Sequence, residues 1–174
     1  MDSSASIRPA LLEDARILAE LGERTFRETF EGLYPPPELA AFLAEAYGEA
    51  IQSSELADPA RPALLLELQD RPLGFAQLRL GHREPGVPGE HPVELQRIYL
   101  LRSAQGGGRG VALLNACEAR ARAWGADTLW LGVWEHNAKA LAFYARNGFR
   151  EVGEHVFQIG QQRDRDLLLA KELV

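Results

Sequence analysis

Between Gln105 and Gly110 the chain reads Gln-Gly-Gly-Gly-Arg-Gly, four glycines in six residues, and runs directly into a segment with helical periodicity. Glycine that dense loses conformational entropy on folding and is favoured where bare backbone must come close to something else. A glycine-rich turn that opens a helix presents unpaired amides and the positive end of the helix dipole, so its natural guest is an anion, phosphate above all. Two familiar phosphate loops are excluded by residue. The G-x-x-x-x-G-K-[ST] loop needs a lysine and a hydroxyl, and neither follows here. The dinucleotide fingerprint G-x-G-x-x-G needs a third glycine, and counted from Gly108 that place holds Leu113.

Other polar candidates are sparser. Asn137 and Tyr144 are seven residues apart, two helical turns, so both fall on one helix face with Leu141 between them. His82, His91, His136 and His155 are too scattered to suggest a metal site, and a lone histidine is more often a surface or hydrogen-bonded residue. Cys117 is the single cysteine, which excludes an internal disulfide and a multi-thiolate site, and it lies on an apolar stripe as a core residue would. No metal is expected.

The elements that must position these residues alternate. Apolar residues from Leu11 to Phe30 recur at helical spacing, and a first helix should end near Gly32. Pro35, Pro36 and Pro37 form a joint, after which one helix is expected to run to about Ala57. Strands are expected at 63–67, 73–80, 93–100, 128–133, 149–159 and 165–170, with a short extended opening at Ile7 and Arg8. A helix follows the glycines, its stripe Val111, Leu114, Cys117, Ala121 and Trp124, and another spans 137–146. Such alternation predicts an α/β (α+β) fold, a mixed sheet with helices on both faces. The 174 residues suit one domain, 1–174.

A formal net charge of −6 argues against a nucleic-acid partner and mildly favours a cationic substrate. The opening MDSSASIRPA has neither a basic region nor an apolar run, and nowhere do eighteen apolar residues follow one another. A cytoplasmic protein with no membrane partner is the expectation.

The run Gln105, Gly106, Gly107, Gly108, Arg109, Gly110 resembles the [QR]-x-x-G-x-[GA] signature of the GCN5-related N-acetyltransferases, the GNAT superfamily. The segment LWLGVWEHNAKALAFYARNGF, Leu129 to Phe149, is similar to that family's second cofactor segment, and the two occur in the right order. Within the superfamily, TFRETF, ELQRIYL, GVWEHNAKALAFY and GEHVF are most similar to PaiA-like spermidine/spermine acetyltransferases. The resemblance implies a single GNAT-type domain with a mostly antiparallel, twisted sheet of about seven strands and a bulged, splayed central strand. It implies acetyl-coenzyme A, with the glycine loop on the pyrophosphate and the backbone of Ile98, Tyr99 and Leu100 along the pantetheine and thioester. Asn137 would serve the cofactor or cap its helix, and Tyr144 would assist the departing thiolate. A phenol near 10 facing a thiol near 8.5 is uphill by roughly 2 kcal/mol, so hydrogen bonding precedes full proton transfer. A homodimer is implied as common in the family.

An alkylammonium near pKa 10 is almost entirely charged at neutral pH and needs help to lose its proton. Glu94, at the start of the strand leading to the thioester, is the first candidate base, and Glu135, after the neighbouring strand, the second. Glu28 and Glu31 beside Tyr34 could receive a cationic amine by charge and cation–π contact. The sequence departs from the subgroup where Tyr34 replaces an expected asparagine, and where the loop GQQRDRD puts Arg163 and Arg165 near the expected mouth, repelling a polyamine. Three readings stay open: an acetyltransferase of a small primary amine, possible polyamines included; one of a protein N-terminus, lysine, amino acid or drug amine; and a non-catalytic acyl-coenzyme A sensor.

Overall fold

The computed structural model describes residues 5–174. Strands β1 (Ser6–Pro9), β2 (Ala63–Leu68), β3 (Arg71–Arg79), β4 (Pro92–Leu100), β5 (Thr128–Trp134), β6 (Arg150–Ile159) and β7 (Gln162–Glu172) form one sheet in the order β1-β2-β3-β4-β5-β7-β6. β4 and β5 are parallel and the other neighbours antiparallel, so the mixed, mostly antiparallel sheet expected from the sequence is present.

Helices α1 (Ala15–Phe30), α2 (Pro36–Tyr47) and α3 (Glu49–Ala57) cover one face, where Leu18, Phe26, Leu39 and Tyr47 close on Leu65 and Phe75. Helices α4 (Arg109–Ala123) and α5 (Ala138–Arg146) cover the other, where Leu113, Leu114, Cys117 and Tyr144 share a core with Leu66, Leu78, Leu95 and Leu131. Leu65 and Leu66 therefore serve opposite cores, as the two-residue period of a strand dictates, and strands covered twice read as nearly continuous apolar runs.

Four expectations change in detail. The helix expected to run to Ala57 is two helices, because Gly48 turns the chain: an added Cβ would meet the Ala44 carbonyl oxygen at 2.6 Å. Arg97 locks that corner to the sheet, donating to Glu55 at 2.5 Å and to the Ala46 carbonyl at 3.2 Å. The first helix starts later than Leu11, which is exposed. Asp14 is buried instead, accepting from the Leu11 amide at 2.7 Å and from Arg8, whose guanidinium lowers its pKa from the usual carboxylate range. On α4 the buried stripe is Leu113, Leu114, Cys117 and Ala121, while Val111 is exposed. Most of GQQRDRD is strand, so β7 starts at Gln162 and the hairpin turns only at Gly160 and Gln161.

Gly22 marks where α1 passes Tyr47, since an added Cβ would fall on the Tyr47 ring, itself buried in the α1–α3 core. Gly22→Ala is expected to lower the unfolding free energy by about 1–3 kcal/mol even though alanine is the better helix former. Thermal unfolding of the two proteins checks this, and an unchanged or raised midpoint would remove the close contact.

Candidate functional site

Two local departures from regular pairing create the site. Arg97 pairs with Gln77 and Leu95 with Leu78, so Gln96 is the extra residue of a β-bulge in β4. The parallel ladder between β4 and β5 runs only from Pro92–Thr128 to Glu94–Trp130. Beyond it β4 stays with β3 and β5 with β7, and the strands part. Leu95–Leu100 and Leu131–Trp134 line opposite walls of a cleft of about 680 Å³. The bulged, splayed strand expected from the sequence is thus observed, and Ile98, Tyr99 and Leu100 lie along its open edge.

The glycine loop closes one end of the cleft. Gly106, Gly107 and Gly108 have φ of 91°, 60° and 76°, a left-handed run that side chains resist. Among the described residues the amides of Gly106, Gly107, Gly108, Gly110 and Val111 find no backbone acceptor. Gly110 lets α4 approach α5, because an added Cβ would lie 3.4 Å from the Phe143 ring. Gln105, Gly106, Gly108 and Gly110 line the cleft, whereas Gly107 and Arg109 do not. Arg109 turns back to donate to the Ala104 carbonyl at 3.3 Å and so braces the loop. Positive charge at this end comes from Lys139, bonded to the Gln105 side chain; Arg102 and Arg146 also line the cleft, the Arg102 guanidinium donating to the Glu28 carbonyl on α1. Lys139 was not singled out in the sequence, although its place two residues after a helix-capping asparagine was available as a signal.

Helix α5 supplies the next wall. Asn137 accepts from the Ala140 amide at 3.2 Å, which caps the helix, and its side chain also faces the cleft. Tyr144 lines the cleft from the α4–α5 side, while Leu141, expected on the same face, packs against the core. Burial first, and then the Cys117 thiol, push the Tyr144 hydroxyl above the ordinary phenol range, so it remains a hydrogen-bond donor throughout the neutral range. Cys117 is fully buried and pushed up to about 12 by that burial, a core thiol with no access to the cleft.

The opposite end is aromatic and acidic, and it lies on the α1–α3 face. Phe30, Tyr34, Trp134 and Phe157 line it, with the Phe30 and Trp134 rings 6.1 Å apart. Tyr34 donates to Asp164 Oδ2 at 2.6 Å, and burial together with that bond holds its own proton tightly. Asp166 also lines this end and was not picked out in the sequence. Its carboxyl is pushed up to about 6, chiefly by burial, with the Asp164 charge adding and the His155 charge opposing. His155 Nε2 stands 3.7 Å from Asp166 Oδ2. Room for both comes from Gly132, where an added Cβ would sit 2.9 Å from His155 Cε1 and 3.5 Å from Asp166 Oδ2.

Residues 23–149 match the sequence model of the acetyltransferase (GNAT) family. The chain is a member of the GNAT family. An uncharacterised N-acetyltransferase of Lactobacillus delbrueckii subsp. lactis is 35% identical over 154 residues, covering 88% of this chain and 89% of its own. Another, from Mycobacterium tuberculosis, is 33% identical over 163 residues, covering 94% of this chain and all of its own. The PaiA N-acetyltransferase of Thermoplasma acidophilum, solved in complex with coenzyme A, superposes with a TM-score of 0.77. At 22% identity over 97% of this chain and 99% of that one, the likeness is one of fold.

Several residues named from the sequence sit outside the cleft of this GNAT domain. Glu94 lies where β4 and β5 are still paired, its carboxylate 2.5 Å from Arg79 Nε, directly across the β3–β4 register. Glu135 pairs with Arg165 at 3.0 Å, and Arg165 also binds Glu154. Glu31 is exposed on the outer side of α1. Glu28 does line the cleft, but it accepts from the Arg102 amide at 2.7 Å and from Arg24 at 3.3 Å, tying α1 to the end of β4. Among the described residues no three His, Cys, Asp or Glu side chains gather as a metal ligand set, and no helix is long and apolar enough to cross a membrane. Glu94→Gln would leave Arg79 partly buried without its charged partner, and a loss of about 1–3 kcal/mol of stability is expected. Chemical denaturation and steady-state kinetics side by side check this: a wild-type stability paired with a hundredfold lower kcat would return Glu94 to the chemistry.

Proposed function

We propose that this GNAT domain is an acetyl-coenzyme A-dependent N-acetyltransferase that acts on a small primary amine by direct attack within a ternary complex. The observation carrying most weight is that one cleft joins a glycine loop with free amides on the α4–α5 face to a carboxylate and aromatic wall on the α1–α3 face. Both partners of a transfer can then meet where β4 and β5 part.

The loop suits a pyrophosphate. Its amides are free, its left-handed backbone needs glycine, and an added Cβ at Gly106 or Gly108 would meet nothing within 4 Å, so the space before it is open. Lys139, bonded to Gln105, supplies the charge that Arg109 does not. Bound acetyl-coenzyme A supplies the activated acetyl group and a thiolate leaving group. The backbone of Ile98–Leu100 lies on the unpartnered edge of β4, where amides can hold an acyl oxygen without an entropic cost at the moment of reaction. Tyr144 lines the cleft, and burial keeps its hydroxyl protonated, so that its O–H can point at sulfur.

The acceptor end favours a cation. Arg165, which the sequence placed at the mouth as a repulsive charge, is held by Glu135 and Glu154 and does not line the cleft, and neither does Arg163. A polyamine therefore fits the charge at this end as well as a monoamine does.

An amine panel assayed for coenzyme A release tests the reading, with spermidine, 2-phenylethylamine, amino acids and peptides side by side. Release with small primary amines is expected, and none with any of them would shift weight to a non-catalytic acyl-coenzyme A binder. Tyr144→Phe is expected to lower kcat by about 10²–10³-fold while coenzyme A affinity stays within about threefold. Unchanged turnover with the best amine would remove the role given to its hydroxyl.

A further inference from the structure

The acetyltransferase reading leaves one participant unassigned, the group that makes an alkylammonium nucleophilic, and the sequence candidates Glu94 and Glu135 are both held in ion pairs outside the cleft. Asp166 differs from them in three ways. It lines the cleft, its side chain is only 13% exposed, and its neighbour of opposite charge is not an arginine but His155, whose Nε2 stands 3.7 Å away, beyond hydrogen-bond distance, and is charged only when protonated. Asp164, two residues earlier on β7, does not line the cleft and is occupied, accepting from Tyr34 at 2.6 Å and from Gln162 at 3.2 Å. A largely buried carboxylate that no hydrogen bond reaches, facing only a histidine at 3.7 Å, is stabilised when a cation sits against it.

The position agrees with the chemistry. β7 places Asp166 opposite Trp134 of β5, at the end of the strand segment that forms one wall of the splay. Asp166 lies on the acceptor face and Tyr144 on the other, so the gap between β4 and β5 separates a proton acceptor from a proton donor. Gly132 keeps the ground in front of Asp166 clear.

We propose that Asp166 is a catalytic residue of this chain, its carboxylate receiving the acceptor's ammonium group and taking the proton that frees the amine, which selects a cationic primary amine. The inference rests on the acetyltransferase reading above. In the step, an N–H bond of the ammonium breaks and an O–H bond forms on Asp166. The freed lone pair makes the C–N bond as the C–S bond breaks, a second nitrogen proton goes to the departing sulfur, and Asp166 returns its proton to water. Phe30, Trp134 and the Tyr34 ring flank the cation path and offer cation–π contact.

The charged and titratable groups facing Asp166 are His155 on β6, Asp164 on β7, Tyr34 in the joint after α1 and Tyr99 on β4, whereas β5 offers only Gly132 and Trp134. Burial outweighs His155, so Asp166 ionises near 6 and accepts a proton only above that. The reactive pair is ionised Asp166 with a cationic amine. For wild-type enzyme and 2-phenylethylamine, kcat/KM is expected to fall below about 6 and to stay flat from there towards the amine's own pKa. If free neutral amine from solution were the substrate, kcat/KM would instead climb about tenfold per pH unit through that range, and this outcome overturns the proposal.

Asp166→Asn provides the second arm, with folding checked by circular dichroism and coenzyme A affinity by calorimetry. It is expected to lower kcat/KM for 2-phenylethylamine by about 10²–10⁴-fold, but by less than about tenfold for aniline, which is already neutral at pH 7. A loss within about threefold for the alkylamine, or equal losses for both amines, overturns the assignment. Wild-type enzyme that turns over no amine at all would instead defeat the acetyltransferase reading beneath it. Should the variant fail to fold, the wild-type pH profile decides alone.

Discussion

A parallel ladder that stops after Glu94 and Trp130 governs the rest of the molecule. Backbone amides and carbonyls beyond that point lose their partner strand, and a buried unpaired group costs about 1–3 kcal/mol. The fold tolerates the break because each strand is still bound along its other edge, β4 to β3 and β5 to β7. The bulge at Gln96 bends β4 away, and Arg97, tied to Gln77 at 2.5 Å and to Glu55 beyond the Gly48 corner, holds the bent strand in place. The polar edge that remains is wetted by the cleft, and it is there that a ligand's own polar groups can pair with it.

The same break lets two separate cores open onto one cleft. A continuous sheet keeps its faces apart, so groups on α5 and groups beside α1 could not reach one another's substrates. Where the strands part, Tyr144 from the α4–α5 core and Tyr34 from the α1–α3 core line one cleft. Charge follows this division. Lys139 is bonded to Gln105 at the glycine loop, and Asp166 stands at the other end, beside Asp164 and its partner Tyr34. A net charge of −6 conceals that polarity, which is why overall composition could point to a cationic substrate and still miss an anion site.

How much of this was legible follows from distance along the chain. The turn at the glycine loop, the Asn137 cap and the place of Tyr144 on the cleft-lining helix could be read because each is written within a few residues: left-handed glycines, a capping asparagine, one helix face. Helix and strand order were readable for the same reason. Glu94 read as a base only because its neighbour across the sheet was unknown. Its pairing with Arg79 depends on the β3–β4 register, and no local pattern states a register. Asp166 falls where the expected loop GQQRDRD meets the expected strand at 165–170, and its burial arises only when β7 inserts between β5 and β6. The break at Gly48 was concealed by continuous helical periodicity, because it is the Ala44 carbonyl that leaves no room for a side chain.

The two ends of the cleft consequently differ in how they are built. Most of the cofactor end comes from one stretch, Gln96 to Arg146, in which bulge, glycine loop and α5 follow one another and Gly110 seats directly on Phe143. The acceptor end is assembled from distant pieces: Tyr34 reaches Asp164 across 130 residues, and the hairpin turn at Gly160 and Gln161 meets Glu38 at the start of α2. Substitutions at Phe30, Tyr34 or Phe157 change the wall proposed to meet the amine without touching a residue of the glycine loop. Acceptor choice can therefore drift while acetyl transfer is retained, and a resemblance carried by the loop and α5 names the reaction more securely than the substrate.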